Sequence, residues 1–155
     1  MKKIWGVLYC EKKVLIVVIV ALMLIGVISF FLIKHFEYSP KSFESLLGTN
    51  EANITKVLLG NADYGDVAET NDKEKIKEII NLINNRNYTK SNQEYITGCI
   101  YYCDFYSGDE FKVRVRISGD GDNVKVNYTY YNVSKSISSA LLTNWFDSLL
   151  VQNNK

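Results

Sequence analysis

The first strong pattern along the chain is an unbroken one: residues 14–33 (VLIVVIVALMLIGVISFFLI) run for twenty positions without a charge. At about 1.5 Å per helical residue this stretch spans roughly 30 Å, the hydrocarbon thickness of a bilayer. A helix there satisfies its own backbone hydrogen bonds where no water is available. The core helix of a soluble protein would carry a polar stripe, whereas Ser29 is the only polar side chain in this run. The pattern predicts a transmembrane helix over 14–33.

Past Lys34 the pattern breaks into short amphipathic segments. Ser39-Pro40 offers a cap followed by proline at the first helical position, with Phe43, Leu46 and Leu47 as an apolar side and Gly48 as a stop. A short helix is expected there, within a juxtamembrane stalk over 34–53. Residues 54–59 read as a strand and 67–69 as a shorter one, joined by a turn-rich stretch over 60–65. Asn71 is the expected N-cap of the next helix, with Glu74 three residues on. Ile76, Ile79, Ile80 and Ile83 then mark one apolar helix face, which Asn84-Asn85 ends.

After a polar bridge over 91–94, the period becomes two. Cys99, Tyr101, Cys103 and Phe105 share one strand face, Phe111, Val113, Val115 and Ile117 a second, and Val124, Val126, Tyr128 and Tyr130 a third. Register is set by agreement between apolar faces. A three-residue loop over 108–110 sets Cys103 against Val115, Tyr101 against Ile117 and Asp104 against Arg114. A two-residue loop at Gly108-Asp109 would set Cys103 against Arg114 instead, so the longer loop is expected. In the next hairpin, around a loop over 118–123, Ile117 meets Val124, Val115 meets Val126 and Phe111 meets Tyr130. Residues 136–151 close the chain with Ile137, Leu141, Leu142, Trp145, Leu149 and Leu150 at helical spacing. Two amphipathic helices on an antiparallel meander predict a two-layer α+β domain over 54–151, followed by a tail over 152–155.

Composition supports one ordinary domain: 155 residues, 47% hydrophobic and 23% charged, with a single proline. This excludes a disordered or low-complexity chain. Charge adds an orientation. Lys2, Lys3, Lys12 and Lys13 precede the apolar run against Glu11 alone, whereas Lys34, His35 and Lys41 come after it among Glu37 and Glu44. The positive-inside bias then keeps residues 1–13 in the cytoplasm and exports the remainder. Val27-Ile28-Ser29 fits a signal-cleavage site poorly, because four apolar residues still lie beyond it. An uncleaved anchor is expected.

With four of the 18 cationic and one of the 17 acidic side chains lying before residue 14, the exported part carries two more carboxylates than cations. No excess of positive charge points to nucleic acid. Cys99 and Cys103 on one strand would stand about 13 Å apart, too far for a disulfide, so they are expected as small buried hydrophobes. Cys10 precedes the apolar run, where no lipobox cysteine would lie, and its position near the bilayer permits acylation.

The tests for an enzyme are mostly negative. The one histidine, His35, lies two residues beyond the apolar run, far from any predicted cleft. Histidine-dependent triads, zinc sites and Gly-rich phosphate loops therefore lack their residues, and neither a catalytic residue nor a cofactor nor a metal is expected. Asp120-Gly121-Asp122-Asn123 resembles a fragment of a calcium loop but lacks the later glutamate, and as a hairpin turn it needs no metal. Asp104 is the acid that falls on a strand of the predicted meander.

The outer sheet face is the candidate binding surface. The register aligns Tyr106, Lys112 and Thr129 in one row, Asp104, Arg114 and Asn127 in the next, and Tyr102, Arg116 and Lys125 in a third. Tyr102 beside Arg116 permits a cation–π contact. A cationic, aromatic patch on an acidic domain suits an anionic envelope component or an acidic protein surface.

The stretch TNDKEKIKEIINLINNRNYTK (70–90), then FYSGDEFKVRVRISGDGDNVKVNYTYYNV (105–133) and a Leu-rich final helix, resembles the exported domains of small anchored proteins and lipoproteins of low-GC Gram-positive bacteria. The resemblance covers about residues 54–151, departs from the lipoproteins in the missing lipobox cysteine, and brings no catalytic residues. It implies location, and the reading is a single-pass membrane protein displaying a small non-enzymatic binding or sensing domain outside the cell. Three other functions stay open on the sequence: an immunity or inhibitor protein, a carboxylate-dependent wall hydrolase built on Asp104, and a membrane-complex subunit assembling through Gly26.

Overall fold

A computed structural model describes residues 2–62, 65–92 and 98–153. Asp63 and Tyr64 of the expected turn, Gln93 and Glu94 of the expected bridge, and Asn154 and Lys155 of the tail lie outside the described residues, as do the side chains of residues 2–13, of Cys99 and of residues 151–153. The chain forms two compact units, residues 1–38 and 39–155.

The first unit is one helix, α1 (Lys2–Tyr38), of 37 residues and so about 55 Å long. It runs past the apolar stretch on both sides. Beyond Ile33 it is continued by Lys34, whose Nζ pairs with Glu37 at 3.0 Å and stands 5.5 Å from the centre of the Tyr38 ring, both at helical spacing. Within Val14–Tyr38 an eighteen-residue stretch reaches a mean hydropathy of 3.3, and no side chain from 14 to 38 is buried. The helix is long and apolar enough to cross a membrane.

The second unit is α+β. One antiparallel sheet of seven strands has the order β2-β1-β4-β5-β6-β7-β3, with β1 at Lys56–Asn61, β2 at Val67–Thr70, β3 at Tyr88–Lys90, β4 at Cys99–Ser107, β5 at Glu110–Ser118, β6 at Asn123–Val126 and β7 at Thr129–Val133. Helices α2 (Phe43–Leu47), α3 (Lys73–Ile83) and α4 (Ser139–Asn153) supply the remaining core. Ile76, Ile79, Ile80 and Ile83 of α3 are all buried, as the spacing predicts. Trp145 of α4 ties the two long helices together by donating its indole N–H to the Lys75 carbonyl at 3.1 Å. Phe43, Tyr88, Phe105 and Tyr131 form an aromatic cluster at the β3 side of the core, with ring centres 5.5–6.3 Å apart.

Several expectations shift. The compact unit begins at Ser39, and Phe43 and Leu47 are core residues, so this part of the expected stalk belongs to the folded unit. Ser42, not Ser39, caps α2, because Lys41 is held extended by two backbone hydrogen bonds to Tyr88 at 2.9 and 3.0 Å. Asp72, not Asn71, caps α3, accepting from the Glu74 and Lys75 amides at 2.8 and 3.4 Å. Strand β3 has no counterpart among the expected elements. Helix α4 starts at Ser139, and Leu141 faces outward while Phe146 takes a core position.

The central register is as derived: Tyr101 pairs with Ile117, Cys103 with Val115, Asp104 with Arg114, Ile117 with Val124 and Val115 with Val126. The loop is not. Ser107 pairs with Glu110 around a two-residue turn in which Gly108 has φ 59°, and the register shifts between Phe105 and Tyr106. Phe105 faces Val113 and Tyr106 faces Phe111, so Lys112 is the extra residue of a bulge that reconciles the short turn with the apolar pairing. The bulge carries Phe111 out of the core to lie against Tyr106, with ring centres 5.7 Å apart.

The third strand is likewise broken. Val126 pairs with Thr129 around Asn127-Tyr128, where Asn127 has φ 53°, a conformation asparagine tolerates. Tyr128 is 92% exposed, and beyond the turn the alternation reverses, so that Tyr131 is buried and Tyr130 lies outside.

Candidate functional site

The face of the sheet turned away from the helices is organised in cross-strand rows. One row passes through Glu69, Leu58, Asp104 and Arg114. Its neighbour passes through Val67, Gly60, Tyr102, Arg116, Lys125 and Tyr130, crossing six strands. On the other side of the first, Lys56 pairs with Tyr106 and Tyr106 with Phe111. Beyond the second, Asn123 pairs with Asn132 and Asn132 with Thr89.

All seven candidate residues are placed near one another on this face or its bulge: Tyr102, Asp104, Tyr106, Lys112, Arg114, Arg116 and Lys125. The row of Tyr102, Arg116 and Lys125 stands as derived. The other two are corrected. Thr129 pairs with the buried Val126 and so belongs to the opposite face, and Asn127 lies in the turn, where its Oδ1 accepts from the Arg114 amide at 3.0 Å. Three residues join the surface that sequence reasoning missed: Lys56, Phe111 and Tyr130. Lys56 had no local signal, since nothing near it specifies that β1 lies beside β4. The other two are placed by the bulge and the turn.

The electrostatics separate the cations into kinds. Arg114 donates to both carboxylate oxygens of Asp104 from Nε and Nη2 at 2.5 Å, with side-chain exposures of 38% and 3% respectively. That carboxylate holds the Arg114 guanidinium above its ordinary pKa. Lys112 Nζ pairs with Glu110 at 2.6 Å. Lys56 Nζ sits 4.5 Å from the centre of the Tyr106 ring, and Lys125 Nζ 4.4 Å from that of Tyr130, whose hydroxyl accepts its hydrogen bond at 2.9 Å. The ring of Tyr102 receives Arg114, at 4.9 Å, and not its cross-strand neighbour Arg116 as expected. It lies across Gly60, where an added Cβ would come within 2.0 Å of it. The side chain of Arg116 makes no hydrogen bond, ion pair or ring contact among the described residues.

The face thus gathers Lys56, Lys112, Arg114, Arg116 and Lys125 against Glu69, Asp104 and Glu110, a positive balance on a unit that is acidic overall. Tyrosine partners leave a lysine's charge uncancelled. The arrangement can attract and orient an anion. Asp104, the acid on which hydrolytic chemistry would rest, has both oxygens engaged by Arg114.

The acidic loop after β5 is used locally. Ser118 Oγ donates to Asp120, whose Oδ1 also accepts from the Asp122 amide at 3.0 Å; these bonds hold the Asp120 carboxyl below the usual carboxylate range. Asp122 accepts from Ser136. Among the described residues no cluster of three or more His, Cys, Asp or Glu is placed to hold a metal. Cys103 is a buried thiol of the core. On the helix side of the sheet a groove of about 700 Å³ lies between α3 and the segment before β1, floored by Ile54, Ile76 and Ile80 and edged by Glu51, Lys73 and Lys77.

Comparison with protein-family models, with curated proteins and with solved structures yields no match.

Proposed function

We propose that this chain is a single-pass membrane protein with residues 1–13 in the cytoplasm, and that residues 39–155 form an extracytoplasmic, non-enzymatic binding or sensing domain in the envelope of a Gram-positive cell. The observation that carries the reading is α1: within Val14–Tyr38 an eighteen-residue stretch has mean hydropathy 3.3 with none of it buried, and Lys2, Lys3, Lys12 and Lys13 precede it. Apolar surface on that scale needs hydrocarbon around it. The outer sheet face supports binding as the role of the second unit, since it concentrates cations and rings where the fold requires only solvent-compatible side chains.

Protease added to intact cells tests the topology. The expected outcome is loss of the 39–155 unit with residues 1–13 protected, seen with tags at each end. Protection of the C-terminal unit in intact cells, with cleavage only after lysis, overturns the reading.

A further inference from the structure

Arg116 and Lys125 are direct cross-strand partners on the outer face. Like charges set opposite each other destabilise a strand pair, and a stable sheet ordinarily places a carboxylate or a neutral residue at one of the two positions. Neither side chain has an ion-pair partner among the described residues, although Arg114, one pair further along β5, has its own buried carboxylate. Among the described residues the guanidinium fork of Arg116 has no partner, and Lys125 spends one of its three donors on Tyr130. Both are half-buried, so their charges are only partly screened by water. Tyr102 and Tyr130 flank the cation pair on either side, about 14 Å apart at the usual strand spacing.

The adjoining row identifies what surrounds the anion. Asn123, Asn132 and Thr89 are neutral hydrogen-bonding side chains in one line, on the same face, beside the cation pair. A line of charge next to a line of amides and hydroxyl fits a ligand that alternates acidic groups with alcohols. A lipid surface would instead call for protruding aliphatic side chains beside the cation pair, whereas the positions from β4 to β3 in these rows carry none and the exposed Val67 stands at the far edge on β2. An acidic protein would call for a pocket to seat an anchor residue. We propose that Arg116 and Lys125 hold the carboxylates of a linear acidic polysaccharide, with Asn123, Asn132 and Thr89 taking its hydroxyls. Arg116 supplies the bidentate fork and Lys125 the point charge. This rests on the reading of residues 39–155 as an extracytoplasmic binding domain.

The test uses the full chain in detergent micelles, titrated calorimetrically with oligogalacturonate, with uncharged dextran, polyglutamate and phosphatidylglycerol vesicles as comparisons. Oligogalacturonate is expected to bind, less tightly as salt rises. Lys125→Glu sets a carboxylate opposite Arg116; it should weaken binding at least about tenfold while raising Tm by about 2–4 °C, because it relieves a repulsion. Arg116→Gln, folded by circular dichroism, should weaken binding comparably. Asn132→Ala should weaken binding severalfold without altering its salt dependence. Unchanged binding in Arg116→Gln and Lys125→Glu overturns the site. Equal or tighter binding of polyglutamate or of the vesicles overturns the polysaccharide, as does wild-type affinity in Asn132→Ala. Each such failure leaves the protease result, and with it the anchored display of the domain, where it was.

Discussion

Asp104 and Arg114 show how unequal the two ends of one ion pair can be. The carboxylate is almost wholly enclosed, while the guanidinium reaches water through its outer edge. Removing the arginine strands a buried charge; removing the aspartate leaves a cation that can rehydrate. Arg114→Ala is therefore expected to cost about 3 kcal/mol or more and Asp104→Ala clearly less, which denaturant titration of the two variants would show. Equal losses would mean that the pair is solvated at both ends.

Tyr88 supplies a second single-residue prediction. Its ring is fully buried and its hydroxyl donates to the Ile83 carbonyl at 2.6 Å, so burial pushes its pKa well above the ordinary phenol value. The neutral form is the one the fold stabilises. Stability from this group is complete below the unfolded pKa of about 10 and declines as pH rises beyond it, because the unfolded phenol ionises first. Chemical denaturation between pH 9 and about 11.5 should show the decline, and Tyr88→Phe should flatten it.

At the scale of elements, caps are the sharpest test of which local signals the chain uses. Asp72→Ala is expected to destabilise the domain by about 1 kcal/mol, and Asn71→Ala by a few tenths at most, measured as Tm shifts. The opposite ranking would restore Asn71 as the cap. Both residues are good cap formers, and the choice between them depends on where β2 ends: Thr70 Oγ1 accepts from the Asp72 amide at 3.1 Å and sets the start of the helix.

The same distinction explains which elements are legible in the sequence. The apolar run of α1, the isoleucine face of α3 and the pairing of Cys103 with Val115 are consequences of side-chain periodicity, which is local. Strand β3 is three residues long and pairs with β7, far along the chain. The β1–β4 contact, which brings Lys56 to Tyr106, is equally non-local. The bulge at Lys112 and the turn at Asn127-Tyr128 each reverse the inside–outside parity of the adjoining strand residues, so strict alternation sends Phe111 and Tyr130 to the wrong face. The row of Tyr102, Arg116 and Lys125 keeps the derived register because it lies between these two irregularities.

For the whole molecule, the consequential feature is where the chain from α1 enters the domain. Three residues after Tyr38, Lys41 joins the outermost strand through its two backbone bonds with Tyr88, and Phe43 enters the middle of the aromatic cluster. In the anchored arrangement proposed above, force passed along the chain would reach the two Lys41–Tyr88 bonds before it reached Phe43. The first contacts so loaded lie at the rim strand β3, whose Thr89 also belongs to the outer face, so tension and ligand binding would meet on one strand.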